Sequence, residues 1–341
     1  MNSKSKTHNT IYFWRVIFTY LIAVHHLLPS FGIHVGWYVA VEFFSIVSGF
    51  LLAEHVKNNR DESPIVFIRK RYLYFLPLII ISALLRSGVD YAYSRWTFSE
   101  FSARMFSSIP ELFIMNGFYA VGPVNSVDWY IQCLFILSIP LYIALKKYSK
   151  ITTFIIAPIF SIIVFSHLQN RFHCFQGYMY SETLGIIGMY NMARIAAGLL
   201  LGTFLHAVCD SINNRQKIIL FWSQIICFLT ILIMPLCVSS KAMIGRNDFV
   251  YLLLIAIGVA TSFAYYPSSV LSKFLLSRPI KFLSKISIYI YLNHHWFCII
   301  LKHEFSNFSI PLLFGYYVSI TIISIILYAI ISKIKMLLRY E

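Results

Sequence analysis

Long apolar runs separated by short basic or mixed stretches set the pattern of this chain. A helix that crosses a membrane needs roughly 20 mostly apolar residues. On that measure the sequence predicts ten spans, at about 11–31, 37–56, 73–89, 127–146, 151–168, 190–206, 217–239, 249–267, 286–303 and 311–332. The third, fifth and sixth are short. The longest stretch between spans, about 90–126, contains FSARMFSSIPELFIMNGFY, which fits a segment lying in the interface or dipping into the membrane. No internal repeat or low-complexity tract breaks the pattern. The expected fold is a single all-α bundle of about ten transmembrane helices over residues 1–341, with no appended soluble domain.

Charge orients this bundle. If ten spans alternate, nineteen of the 28 Lys and Arg residues lie on one side and six on the other, with Arg15, Arg86 and Arg194 inside spans. The positive-inside bias then puts both termini in the cytoplasm. One missed span would scramble the alternation after it, so the bias also supports the count. The first apolar run lacks a small-residue cleavage site and is read as a retained span rather than a signal peptide.

Composition agrees. The chain is 59% hydrophobic and only 12% charged, about half the charged fraction of a soluble domain. Aromatics make up 17%, as interfacial belts of Trp and Tyr require. The net charge of +15 would suggest nucleic acid for a soluble protein. Here it is explained by cytoplasmic loops and anionic head groups, and no nucleic-acid partner is expected. The six Cys, at 133, 174, 209, 227, 237 and 298, form no CxxC pair. Neither a disulfide framework nor a metal site is expected.

Ionisable residues inside spans mark functional sites by default. Arg15 and His26 are eleven residues apart, close to three helical turns, so they share a face and stand roughly 16 Å apart along the axis. His25 points about 100° away from His26. With the N-terminus inside, Arg15 is cytoplasmic and His26 deeper. Snorkelling is the plainer reading of Arg15, and hydrogen bonding between helices the plainer reading of His25. Glu42 is the most deeply immersed carboxylate. It requires a partner, with Arg15, Arg194 or a histidine available. Ser45 and Gly49 share its face, where small residues admit a second helix or a ligand. Arg69, Lys70 and Arg71 lie at the cytoplasmic surface and suit lipid head groups or an anionic soluble donor. His294 and His295 form a second histidine pair in the ninth span. Asp128 and Trp129, at the outer mouth of the fourth, suit either a sugar or an ordinary membrane interface.

In order along the chain, these pieces resemble the acyltransferase-three family of integral membrane acyltransferases, which includes bacterial polysaccharide O-acetyltransferases. Arg15 and His26 match the family's arginine, ten residues and histidine. EFFSIVSGFLL matches its acidic residue, paired phenylalanines and Ser-Gly-Phe, with Glu42 and Ser48 at the matching positions. In RYLYFLP, Arg71 and Pro77 are kept, but Tyr74 stands where a second arginine is expected, and Arg69 is a candidate substitute a turn away. SIYIYLNHH approximates the late histidine motif, with His294 at its histidine, and DWYIQ resembles the start of the fourth span.

The resemblance implies a ten-helix bundle of the bacterial inner membrane. It would transfer acetyl from acetyl-CoA, its donor substrate, to a sugar or glycolipid hydroxyl such as one of O-antigen, with membrane lipid as its other partner and no bound cofactor or metal. Some members carry an extracytoplasmic hydrolase-like domain, which is not expected here. The implied site has Arg69, Lys70 and Arg71 on the donor phosphates. Arg15 holds the pantetheine arm or an oxyanion. His26 is base or transient acyl acceptor, and Glu42 orients it. His25, Ser48, Asp128, Trp129 and His294 lie on the acceptor side or in support. The competing reading is a transporter or flippase for a lipid-linked sugar or small solute. A structural membrane subunit is the bland one.

Overall fold

The computed structural model describes residues 10–93, 96–107, 109, 125–175, 184–212, 218–237, 248–266 and 269–337. Among these every regular element is helical: α1 (Ile11–Leu27), α2 (Ala40–Asn58), α3 (Pro64–Tyr93), α4 (Phe98–Ser107), α5 (Asp128–Ile151), α6 (Ala157–Phe172), α7 (Leu184–Asp210), α8 (Ile218–Ile233), α9 (Asp248–Ala264), α10 (Val270–Phe274), α11 (Arg278–Glu304) and α12 (Ile310–Leu337). Most of the stretch read as interfacial, 101–119, lies outside the described residues. Only α4 and the isolated residue 109 report on it.

Among the described residues seven helical runs are long and apolar enough to cross a membrane: Ile11–Phe31, Trp37–Asn58, Pro64–Tyr93, Asp128–Phe172, Tyr190–Asp210, Ile218–Leu236 and Ile310–Ile334. The difference from ten has three physical sources. Asp128–Phe172 is one 45-residue run that contains two of the expected segments. It passes through non-helical backbone at Tyr148 (φ −132°, ψ 41°) and a π-helical turn at Thr152–Ile156. Asp248–Ala264 is apolar but only 17 residues long. Arg278–Glu304 has 27 residues, but its lysines and histidines dilute its apolar character.

The tightest packing joins α2 to α7. A Cβ on Gly49 would sit 1.9 Å from the Leu199 carbonyl oxygen, and one on Gly202 would sit 2.0 Å from that of Ile46. The small face of α2 therefore receives a helix rather than a ligand. On the other side α1 lies along α11, and α3 and α12 pack onto α11 in turn. Buried polar nodes lock these layers together, as burial without a partner would be costly. The Gln224 side-chain oxygen accepts from Trp14 Nε1 (3.0 Å), Ser262 Oγ (2.9 Å) and Thr10, joining α1, α8 and α9. Asp248 accepts from Tyr38 Oη (2.8 and 2.9 Å) and from the Phe175 backbone N–H (2.6 Å).

Candidate active site

The pairing of α1 with α11 brings the two histidine pairs together. The His26 ring lies 5.0 Å from that of His294 and 5.5 Å from that of His295, centroid to centroid. His25 turns aside, as the helical period requires. Its Nδ1 donates to the Val35 carbonyl (3.0 Å) and its ring packs on Tyr38. The plainer reading of His25, a hydrogen bond that ties elements together, matches this geometry. His294 is fully buried and donates through Nδ1 to the Tyr291 carbonyl at 2.5 Å. His295 is partly exposed. It accepts from Arg86 Nη1 at 2.8 Å, and Ser126 Oγ is 3.2 Å from the same ring nitrogen.

A cavity of about 500 Å³ opens at the other end of α1. Lys70, Arg71, His55 and Glu62 stand at its mouth, Arg15 and Tyr74 line its wall, and Ser48, Tyr130 and Tyr291 line its depth. Tyr291 lies one turn below His294, so the cavity stops short of the imidazoles. Glu62 organises the mouth. Its carboxylate accepts from Lys70 (2.7 Å) and bonds His55 Nε2 (2.6 Å), and its backbone carbonyl accepts from Tyr142 (2.7 Å) and Lys146 (2.6 Å). Burial pushes the Glu62 carboxyl up. The donors Lys70 and His55 outweigh it and hold the group below the usual carboxylate range.

The expected basic trio divides. Lys70 and Arg71 line the cavity, with the Arg71 guanidinium 4.8 Å over the Phe67 ring. Arg69 is exposed and does not line it, so it cannot stand in there for the missing second arginine. Tyr74, which occupies that position, faces the same space as Arg15.

Two further expectations are corrected by packing. Glu42 does not orient His26: Arg194 donates to both of its oxygens, through Nη2 at 2.9 Å and through Nε, in a pair at most 2% exposed. Of the three candidate partners, Arg194 is the one that pairs with Glu42. Asp128 is not an open carboxylate at an outer mouth. It is fully buried within hydrogen-bonding distance of Ser82 (3.5 Å). Asn125 beside it donates to Ser82 (2.5 Å) and to the Leu292 carbonyl (2.7 Å), which knits α3, α5 and α11 together. Trp129 is partly buried with its ring 6.1 Å from Tyr130.

Sequence reasoning passed over Arg86, Asp90, Glu62 and the cavity residues Tyr130 and Tyr291. Arg86 was counted as an intramembrane cation but given no role. Asp90 four residues later was the available signal, because that spacing places the two on one helix face, and they pair at 2.9 Å.

A family model for an acyltransferase domain matches residues 9–330. No curated protein and no solved structure matches the chain. The matched region takes in Arg15 and His26 on α1, Glu42 on α2 and His294 on α11. With nearly the whole helical array inside it, the chain belongs to the acyltransferase-three family and is a membrane acyltransferase.

Proposed function

We propose that this protein transfers an acetyl group from acetyl-CoA to a hydroxyl of a cell-surface polysaccharide or glycolipid, of the O-antigen kind, at the bacterial inner membrane. It acts as one integral domain with ten crossings and both termini in the cytoplasm. The observation that carries this reading is the cavity that runs from a cationic mouth to within one helical turn of the clustered histidines. Its cationic mouth and apolar-lined depth suit a donor with an anionic head and a long arm. Lys70 and Arg71 hold the phosphates, and Arg15 contacts the arm. The roughly 16 Å rise between Arg15 and His26 keeps Arg15 away from the reacting carbonyl, so donor holding is favoured over oxyanion stabilisation.

His26 is the general base. An imidazole nitrogen can take and return a proton. It removes the acceptor hydroxyl proton as that oxygen attacks the thioester carbonyl. The new C–O bond forms, the C–S bond breaks, and the departing CoA thiolate is protonated by the imidazolium. The acceptor approaches His26 from the side of Ser126 and His295, where the cluster is partly exposed. Glu42 supports α1 and α2 from behind through Arg194 and does not touch the reacting atoms.

NMR of surface polysaccharide from strains with and without the gene tests the proposal. An O-acetyl resonance present only with the gene, and not restored by a folded His26→Ala protein, is the expected outcome. A lost or truncated polysaccharide in the deletion strain would favour transport. Full acetylation by His26→Ala would remove His26 from the chemistry.

A further inference from the structure

Two obligate partners fix the protons on the α11 histidines. A carbonyl oxygen can only accept, so His294 Nδ1, 2.5 Å from the Tyr291 carbonyl, carries its hydrogen. The lone pair of neutral His294 then sits on Nε2, which is buried and has no hydrogen-bond partner among the described residues. A guanidinium can only donate, so His295 Nδ1, 2.8 Å from Arg86 Nη1, is the lone-pair nitrogen, and neutral His295 carries its hydrogen on Nε2. Arg86 is itself held in place by donating Nε to Asp90 Oδ2 at 2.9 Å. Neighbouring histidines on one helix are thus set in opposite tautomers, and the His26 ring touches both. On Nε2, His294 carries a lone pair and His295 a hydrogen.

We propose that Arg86 is a positioning residue for acyl transfer. Through Nδ1 of His295 it keeps an N–H on Nε2 of that ring, while Nε2 of His294 stays bare. His26 then works between a proton acceptor and a proton donor. The proton it takes from the acceptor hydroxyl goes back to the departing CoA thiolate, and the fixed neighbouring rings keep the imidazole in place to receive and return it. Of the donor cavity's lining only Tyr291 takes part, through its backbone carbonyl; Arg86, Asp90, His294 and His295 lie outside it. The role in transfer rests on the acetyl-CoA reading above. The tautomers do not.

The test uses the full-length protein in lipid bilayers, with histidine labelled with nitrogen-15 and solid-state NMR as the readout. The His295 signals are identified by their loss in His295→Ala. Expected is His295 protonated at Nε2 in the wild type and in Arg86→Lys, which keeps a donor, and a shift toward Nδ1 protonation in Arg86→Met. Turnover of acetyl-CoA is measured alongside. Arg86→Met should lower kcat about tenfold or more with KM for acetyl-CoA unchanged, and Arg86→Lys should recover most of it. His295 protonated at Nδ1 in the wild type would overturn the proposal, as would full turnover by Arg86→Met. Should Arg86→Met fail to fold, the wild-type tautomer and the same pair of measurements on Asp90→Asn decide. Correct tautomers with no turnover of acetyl-CoA by the wild type would overturn the donor reading, and with it the role in transfer, while leaving the proton assignment standing.

Discussion

Glu42 and Arg194 close on each other across α2 and α7, with both side chains at most 2% exposed. Removing one member of a buried ion pair leaves an uncompensated charge and costs about 3–5 kcal/mol. Arg194→Met should therefore lower the thermal midpoint sharply in detergent or bilayers. The double substitution Glu42→Met with Arg194→Met should recover much of the loss. Wild-type stability in Arg194→Met alone would show that the pair does not hold the helices together.

His26 and His25 should separate cleanly. His26→Ala removes a base worth about 10²–10⁴ in rate while leaving the fold intact, since His26 ties no backbone group. His25→Ala removes the bond to the Val35 carbonyl and the packing on Tyr38. Its defect should show as lower stability, with activity per folded molecule largely retained. Activity assays normalised to folded protein by size-exclusion chromatography distinguish the two. The reverse pattern would place the chemistry on His25.

The donor mouth should discriminate between Arg71 and Arg69. Arg71→Gln removes a charged hydrogen-bond donor from the cavity, worth about 1.5–3 kcal/mol, and should raise KM for acetyl-CoA about tenfold or more. Arg69→Gln changes a side chain outside the cavity and should leave KM within error. Equal effects would mean that the donor meets general surface charge rather than this cavity.

Two glycine substitutions test the packing. Gly202→Ala drives a methyl against the Ile46 carbonyl and should destabilise by about 1–3 kcal/mol, as overpacking does. Gly88→Ala meets open space and should be neutral or slightly stabilising, because alanine favours helix over glycine by about 0.8–1 kcal/mol. Thermal melts of both proteins read the difference.

What could be read from the chain follows the range of the physics involved. The Arg15–His26 relation depends only on the helical period, which is local, so their shared face and the turning aside of His25 were available without a structure. The helical character of the segments was available for the same reason. The partner of Glu42 was narrowed to three candidates, because charge rules say that a buried carboxylate must pair and not with what. Arg86 with His295 spans 209 positions of sequence, and only the packing of α3 on α11 brings them together. Asp128 misled because an acid beside a tryptophan at a span end looks like an interface. The fold folds Asn125 and Ser82 over it instead. The number of crossings is harder to read for a related reason. Around Tyr148 the basic stretch Lys146–Lys150 separates two apolar segments in the sequence, but only one residue leaves helical backbone there, so the helices run on as a single element.

The end of the donor cavity at Tyr291, a turn below His294, has an electrical consequence. A continuous aqueous passage through a bundle with this many cations would short-circuit the membrane potential at each turnover. With the passage blocked below the imidazoles, the proposed acetyl-CoA donor would keep its nucleotide part on its own side, and only the small acyl end would enter the closed layer. The bilayer can then remain insulating to ions while the acyl end reaches the histidines.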